Sequence, residues 1–437
     1  MRRRPVTGPG RQGSFVMTSR ERVVAALGHR EPDRIPFDLG GCAVTGIQAS
    51  TLYRLRQALG LDPPGTPVRV VEPYQMLGEV APDLMESIGI DVACLWGRKT
   101  MFGFENSGWK EWRLFDGTPV LVPKGFNTVP EPNGDILLYP EGDRTLAPSG
   151  RMPKGGYYVD AIVRQPAIDD DTLRVEDNLE EFTPIADEDL EHFRKTAERL
   201  YTGTDKAILA SFGGTAFGDI ALVPAMWLRN PRGIRDIEEW YVSTLSRKEF
   251  VRKVFEKQCE IALGNLARLH AAVGDRVVAA FTTGTDFGAQ CGPFISQKAY
   301  KELYQPFHRE VNGWIHRHTG WKSFIHSCGS VYALIPDFIE SGFDILNPVQ
   351  CSAADMDPGR LKSEFGSELT FWGGGVDTQQ TLPFGTPAQV AEEVKARIGK
   401  FGPGGGFVFN AIHNVQGGVP VANLMAMIET FNEHRAY

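Results

Sequence analysis

The sequence is short of cysteine and has no organised set of them. Six occur in 437 residues, at Cys42, Cys94, Cys259, Cys291, Cys328 and Cys351, with no CxxC pair. Such scattered thiols make no disulfide framework and point to a reduced, cytoplasmic protein. No uninterrupted apolar run reaches transmembrane length, so a membrane-spanning role is excluded. No basic stripe occurs beyond the first residues and the net charge is −8, which argues against a nucleic-acid partner. No GxGxxG follows the first strand and no P-loop occurs, which removes the common nucleotide-binding signatures. The first sixteen residues carry Arg2, Arg3, Arg4 and Arg11 among Gly and Pro, without the apolar core of a secretory signal. They read as a disordered extension, with one folded domain from Met17 to Tyr437.

What is present is the composition of an ordinary globular protein. Short apolar runs alternate with helical patterns. They predict eight buried strands: 34–39, 91–96, 206–212, 276–281, 322–327, 343–347, 369–373 and 407–410. Each is followed by at least one helix, a pattern that indicates a parallel sheet. Eight such units predict an α/β fold of the (β/α)8 TIM type. Thr18 with Glu21, and Thr386 with Pro387 and Gln389, mark helix starts. Further helices are expected at 47–59, 74–88 and 220–228, and a long one capped by Ser296. The Gly402–Gly406 stretch precedes a strand, so it reads as a tight turn. From about 102 to 165 the helical period vanishes. Asp116-Gly117 between apolar runs signals a hairpin, so an antiparallel β insertion after the second strand is expected there.

In such a barrel the active site lies at the strand C-termini. The fifth strand ends in His326-Ser327-Cys328. Side chains two apart share a face of a strand, so the imidazole and thiol point the same way. Read alone, the triplet fits a packed His and an inert Cys as well as a metal site. Other strand ends add weight: Asp38 and Cys42, Asp286, Asn347 with Gln350 and Cys351, Asp377, and Asn410 with His413 and Gln416. Nitrogen and sulfur donors together suit zinc. His413 is the best third ligand, or else a hydrogen-bonding His over the mouth. Asp286, Cys42 or Cys351 could be the fourth, or that position could stay free for substrate. Strands five and eight are not neighbours, so the loop bearing His413 must lean inward.

Several separated segments resemble the uroporphyrinogen decarboxylase superfamily: Arg30 to Pro36, Asp286 to Gln290 with Gly292-Pro293, His326 to Ser330, Asp344 to Gln350, Phe371 to Gly374, and His413 to Gln416. The resemblance implies a single distorted (β/α)8 barrel. Its decarboxylases act on porphyrinogen acetate side chains without a cofactor and carry an Arg-rich N-terminal segment. Here Asp38-Leu39-Gly40-Gly41-Cys42 stands near that place instead. A second branch resembles corrinoid-dependent methyltransferases, whose zinc is held by His-x-Cys and a later Cys. This chain keeps His326 and Cys328 and offers His413 at the later position.

The resemblance implies a zinc-dependent methyltransferase-like enzyme. It would move a methyl group from a methylcorrinoid, or from a methylated small substrate, to a thiol or similar acceptor. The alternatives are decarboxylation of a tetrapyrrole carboxylate and non-catalytic binding of a corrinoid or tetrapyrrole. Asp286, Asn347 and Asp377 are expected to act in catalysis. Asp38, Gln290, Gln350, Asn410 and Gln416 are expected to bind substrate. No corrinoid-binding Asp-x-His-x-x-Gly segment occurs, so a corrinoid would arrive on a separate protein. A homo-oligomer is compatible with this reading.

Overall fold

The computed structural model describes residues 16–437. The expected extension over residues 1–16 therefore lies, but for Val16, outside the described residues. Seven parallel strands form one sheet whose spatial order follows the chain. They are β1 (Val92–Leu95), β2 (Ala207–Ala210), β3 (Ala279–Thr283), β4 (Lys322–His326), β5 (Ile345–Asn347), β6 (Thr370–Trp372) and β7 (Phe407–Val408). The eighth position is taken by residues 35–39. Phe37 pairs in parallel with Phe409. On the other side the Asp91 N–H donates to the Phe37 carbonyl at 2.8 Å. The architecture is a distorted (β/α)8 barrel. Its first strand is reduced to a few bonds that close the ring between β7 and β1.

Buried charge secures that closure. Arg22 is 1% exposed and places Nη1 2.5 Å from Asp91 Oδ1 and Nε 2.7 Å from Asp33 Oδ1. The second Asp91 oxygen accepts the Phe37 N–H at 3.0 Å. Arg22 lies on the helix Ser19–Leu27, which opens with the Thr18–Glu21 capping box. Val23 and Leu27 of that helix join the barrel-interior cluster with Val92, Leu209, Phe324 and Trp372. The Thr386–Gln389 capping box is likewise formed, with Pro387 opening the helix Pro387–Phe401.

The insertion differs from expectation in its reach. The hairpin 110–122 forms around Asp116-Gly117, with Lys110 opposite Val122. Its strand Pro119–Val122 also pairs in parallel with Val68–Glu72, from before β1. The helix expected over 74–88 is therefore a hairpin followed by a short helix, Pro82–Ile88. The β-branched run Val68, Val70, Val71 favours extension. The Glu72 carboxylate then accepts the N–H groups of Tyr74 and Gln75 at 2.8 and 2.7 Å, fixing a turn. A second small sheet combines Ile136–Leu138, Gly150–Met152 and Asp160–Ala161. Residues 220–228 form turns, not a helix: Pro224 lacks an N–H and Ala225 has φ 47°. The helix capped by Ser296 breaks at Tyr304, just before Pro306, into Gln297–Leu303 and Gln305–His318. Among the described residues no helix is long and apolar enough to cross a membrane.

Candidate metal centre and its cavity

β4 and β5 run in register with His326 opposite Asn347. The Asn347 Oδ1 lies 2.6 Å from His326 Nδ1, and its Nδ2 donates to the Trp372 carbonyl at 2.8 Å. The second bond fixes which end of the amide faces the ring. His326 Nδ1 therefore carries the proton and donates, and Nε2 presents its lone pair. That nitrogen lies 3.3 Å from Cys328 Sγ.

Cys328 is held by its backbone. Its N–H donates to Asp286 Oδ1 at 2.6 Å. Gly329, at φ 83°, donates its N–H to Gln350 Oε1 at 2.8 Å. A Cβ on Gly329 would lie 2.5 Å from the Gly288 carbonyl. The loops following β3 and β4 thus meet backbone to backbone, and only glycine fits.

His413 follows β7 and still reaches His326, with ring centroids 5.2 Å apart. Its neighbour Asn414 ties the loop across the barrel mouth. Asn414 accepts from the Gly46 N–H at 2.5 Å and donates to the Ala43 carbonyl and to Gln75 Oε1 at 2.8 and 2.6 Å. One donor atom each from His326, Cys328 and His413 lie within 4.8 Å of one another. Burial pushes His326 down to about 4 and His413 to about 3, so both rings are neutral at pH 7, the form that binds metals. Burial first, and Asp286 second, push the Cys328 thiol well above its ordinary range.

This N, S, N donor set fits zinc, whose bond lengths imply ligand separations of about 3.5 Å. The Asn347 bond to His326 is the outer support such a ligand needs. His413 Nδ1 accepts the Asn414 N–H at 2.7 Å. A metal at Nδ1 has to displace that bond. A metal at Nε2 needs the ring proton moved to Nδ1.

His326 and His413 of the cluster line a cavity of about 630 Å³. Its walls include Trp96, Phe193, Phe212, Trp240, Phe255 and Phe281. A family model for "Uroporphyrinogen decarboxylase (URO-D)" matches residues 158–434. The chain belongs to this family. Within it, the chain is 26% identical over 174 residues to a uroporphyrinogen decarboxylase from Aromatoleum aromaticum, covering 37% of this chain. It spans 46% of that relative's length. The fold is similar to that of a methyltransferase from Methanosarcina mazei, with TM-score 0.54 and 14% identity. That likeness covers 95% of this chain and 98% of the other.

On this URO-D barrel the remaining residues singled out from the sequence fall into two groups. Asp286 lines the cavity beside the cluster. The others do not line it. Asn347 supports His326 from behind. Asp38 is wholly buried in the closing strand, accepts from Trp372 Nε1 and the Gly41 N–H at 2.8 Å each, and is pushed up to about 6 by burial. Asn410 donates to the Asp38 carbonyl at 2.8 Å. Gln350 shapes the Gly329 turn. Asp377 accepts from Gln379 and Gln380 N–H groups at 2.6 and 3.1 Å, before the short helix Thr381–Phe384. Gln290 Nε2 lies 3.4 Å from Gln379 Oε1, and Gln416 Nε2 3.4 Å from the Asn414 carbonyl. Cys42, beside Thr45, and Cys351 stand outside the three-residue cluster.

Three cavity carboxylates escaped the sequence reading: Glu181, which pairs with Arg235, and two without an ion-pair partner among the described residues, Asp219 and Glu72. Burial, the leading cause for each, pushes Asp219 and Glu72 up to about 7. Asp219 follows Gly218 in the loop after β2, so its place past a strand end was the available signal. Glu72 had none, since its hairpin read as a helix.

Proposed function

We propose that this URO-D family chain is a zinc-dependent methyltransferase. It moves a methyl group between a methylcorrinoid on a separate protein, or a methylated small substrate, and a thiol or similar acceptor. The observation that carries the reading is the convergence of His326, Cys328 and His413, with both histidines lining a cavity of about 630 Å³. These three residues would hold the zinc and leave a position for substrate. When bound, the ion would supply the charge that keeps a substrate thiol as its nucleophilic thiolate.

The chain's own residues do the rest. Asn347 holds the His326 tautomer. Asp286 anchors the Cys328 backbone and, lining the cavity, takes up at its carboxylate the proton that an acceptor thiol gives up. The aromatic walls exclude water. Decarboxylation of a polycarboxylate would call for free cations facing the substrate. Of the two basic side chains lining the cavity, Arg235 is paired with Glu181 at 2.7 Å and Lys99 is exposed.

The test joins metal content to turnover. About one zinc per chain is expected, with methyl transfer from methylcobalamin to a small thiol, both lost in Cys328→Ser. A metal-free, folded protein that decarboxylates a porphyrinogen would overturn the reading.

A further inference from the structure

The charge and shape of the cavity narrow its ligand further. Its charged lining consists of Glu72, Lys99, Glu181, Asp219, Arg235 and Asp286. Arg235 is 0% exposed and wholly committed: Nη1 and Nη2 lie 2.7 and 3.0 Å from the Glu181 oxygens, and Nε donates to the Arg232 carbonyl. That pair cancels. Lys99 is exposed and, among the described residues, outside any ion pair. Two buried carboxylates and the half-buried Asp286 are left, and among the described residues none has an ion-pair partner: Glu72 is 5% exposed, Asp219 is 7% exposed, and Asp286 lies beside the His326, Cys328 and His413 cluster. Asn106 adds a buried Oδ1 with no hydrogen-bond partner, while its Nδ2 donates to the Val71 carbonyl. Each of these carboxylates accepts backbone N–H bonds but faces no cation in an ion pair, and the lining also carries the unpartnered Nε1 of Trp240.

Aromatic faces and carboxylates are the two groups that attract an organic cation. An anionic ligand would bring its charge toward these carboxylates, with the exposed Lys99 as the one Lys or Arg of the lining outside an ion pair. We propose that the cavity takes an organic cation, a ligand with a methylated ammonium head and an apolar, ring-sized body. The head lies against Asp219 and Glu72 and the body against Phe212, Phe281 and Trp240. The raised positions of Asp219 and Glu72 agree: burial without a cation disfavours their charge, and a bound ammonium restores it. The inference rests on the proposed function only in taking this cavity as the substrate site.

Three probes share a phenol body and differ in charge: 3-hydroxyphenyltrimethylammonium, its neutral isostere 3-tert-butylphenol, and 3-hydroxybenzenesulfonate. Their binding to the zinc-loaded chain at pH 8 is read by calorimetry. The ammonium is expected to bind about tenfold or more tighter than the isostere, and the sulfonate more weakly than either. Asp219→Asn should weaken the ammonium about fivefold or more and leave the isostere within about twofold. If that variant does not fold, Glu72→Gln carries the same comparison. Equal binding of ammonium and isostere, or an unchanged ratio in the variant, overturns the proposal. Cation preference without zinc or methyl transfer would sink only the proposed reaction. Methyl transfer with no cation preference would sink only this inference.

Discussion

The His326 ring is oriented by Asn347, whose Oδ1 lies 2.6 Å from His326 Nδ1 while its Nδ2 is fixed on the Trp372 carbonyl. Asn347→Ala should lower zinc affinity about 10- to 100-fold, the usual cost of losing an outer-shell partner. Chelator competition measures it. An unchanged affinity would mean that packing alone orients the ring.

His413 is expected to contribute a full ligand. His413→Ala should reduce bound zinc to well below one per chain after dialysis against a mild chelator, with the far-ultraviolet spectrum unchanged. Retention of a full equivalent would assign the third position to another donor.

Gly329 allows the two loops around Cys328 to touch. Gly329→Ala meets the Gly288 carbonyl and needs a side chain at φ 83°. Destabilisation by more than about 1 kcal/mol is expected, together with weaker zinc binding because Cys328 is displaced. Denaturant melts and zinc titration test the two effects separately.

Arg22 joins the closing strand to the barrel. Arg22→Ala leaves the wholly buried Asp91 with only Arg34 Nη2, at 3.5 Å, and should cost about 3 kcal/mol. A loss below about 1 kcal/mol, measured by urea unfolding, would show the ring closes without it.

Asp219 sets a pH dependence. It stands at about 7 when folded, raised by burial, against about 3.9 in an unfolded chain. Between those values the folded state holds a proton that the unfolded state has released. The contribution is fully present below about pH 4, is lost as pH rises towards about 7, and is level above. Asp219→Asn should make stability fall less steeply between pH 5 and 7, with Glu72 leaving a residual slope. Identical slopes in urea melts at pH 5, 6 and 7 would refute it.

The barrel was legible because each strand is a short apolar run ending in polar residues, and buried parallel strands allow little else. His326 and Cys328 were legible for the same reason, since period-two geometry puts them on one face. The roles of Asn347 and Gln350 were not. Both stand at strand ends beside the metal cluster, and only the register of β4 against β5 turns them towards His326 and Gly329 instead of the cavity. Glu72 was hidden because Tyr74 to Ile88 has a helical spacing of apolar residues, and the pairing of Val68–Glu72 with a distant hairpin overrode it. The reach of His413 depends on Asn414 bridging to Gly46 and Gln75, contacts far apart in the chain.

The cavity is built from two sources. The part that carries His326 and His413 comes from β4 and the loops that follow the barrel strands. A large part of its wall, including Glu72, Tyr74, Gln75, Met101 and Asn106, comes from the inserted sheets and the segments feeding them. The two walls are therefore written on separate parts of the chain and meet around one cavity. Rebuilding the inserted wall would reshape the cavity without moving the donor atoms of His326, Cys328 and His413.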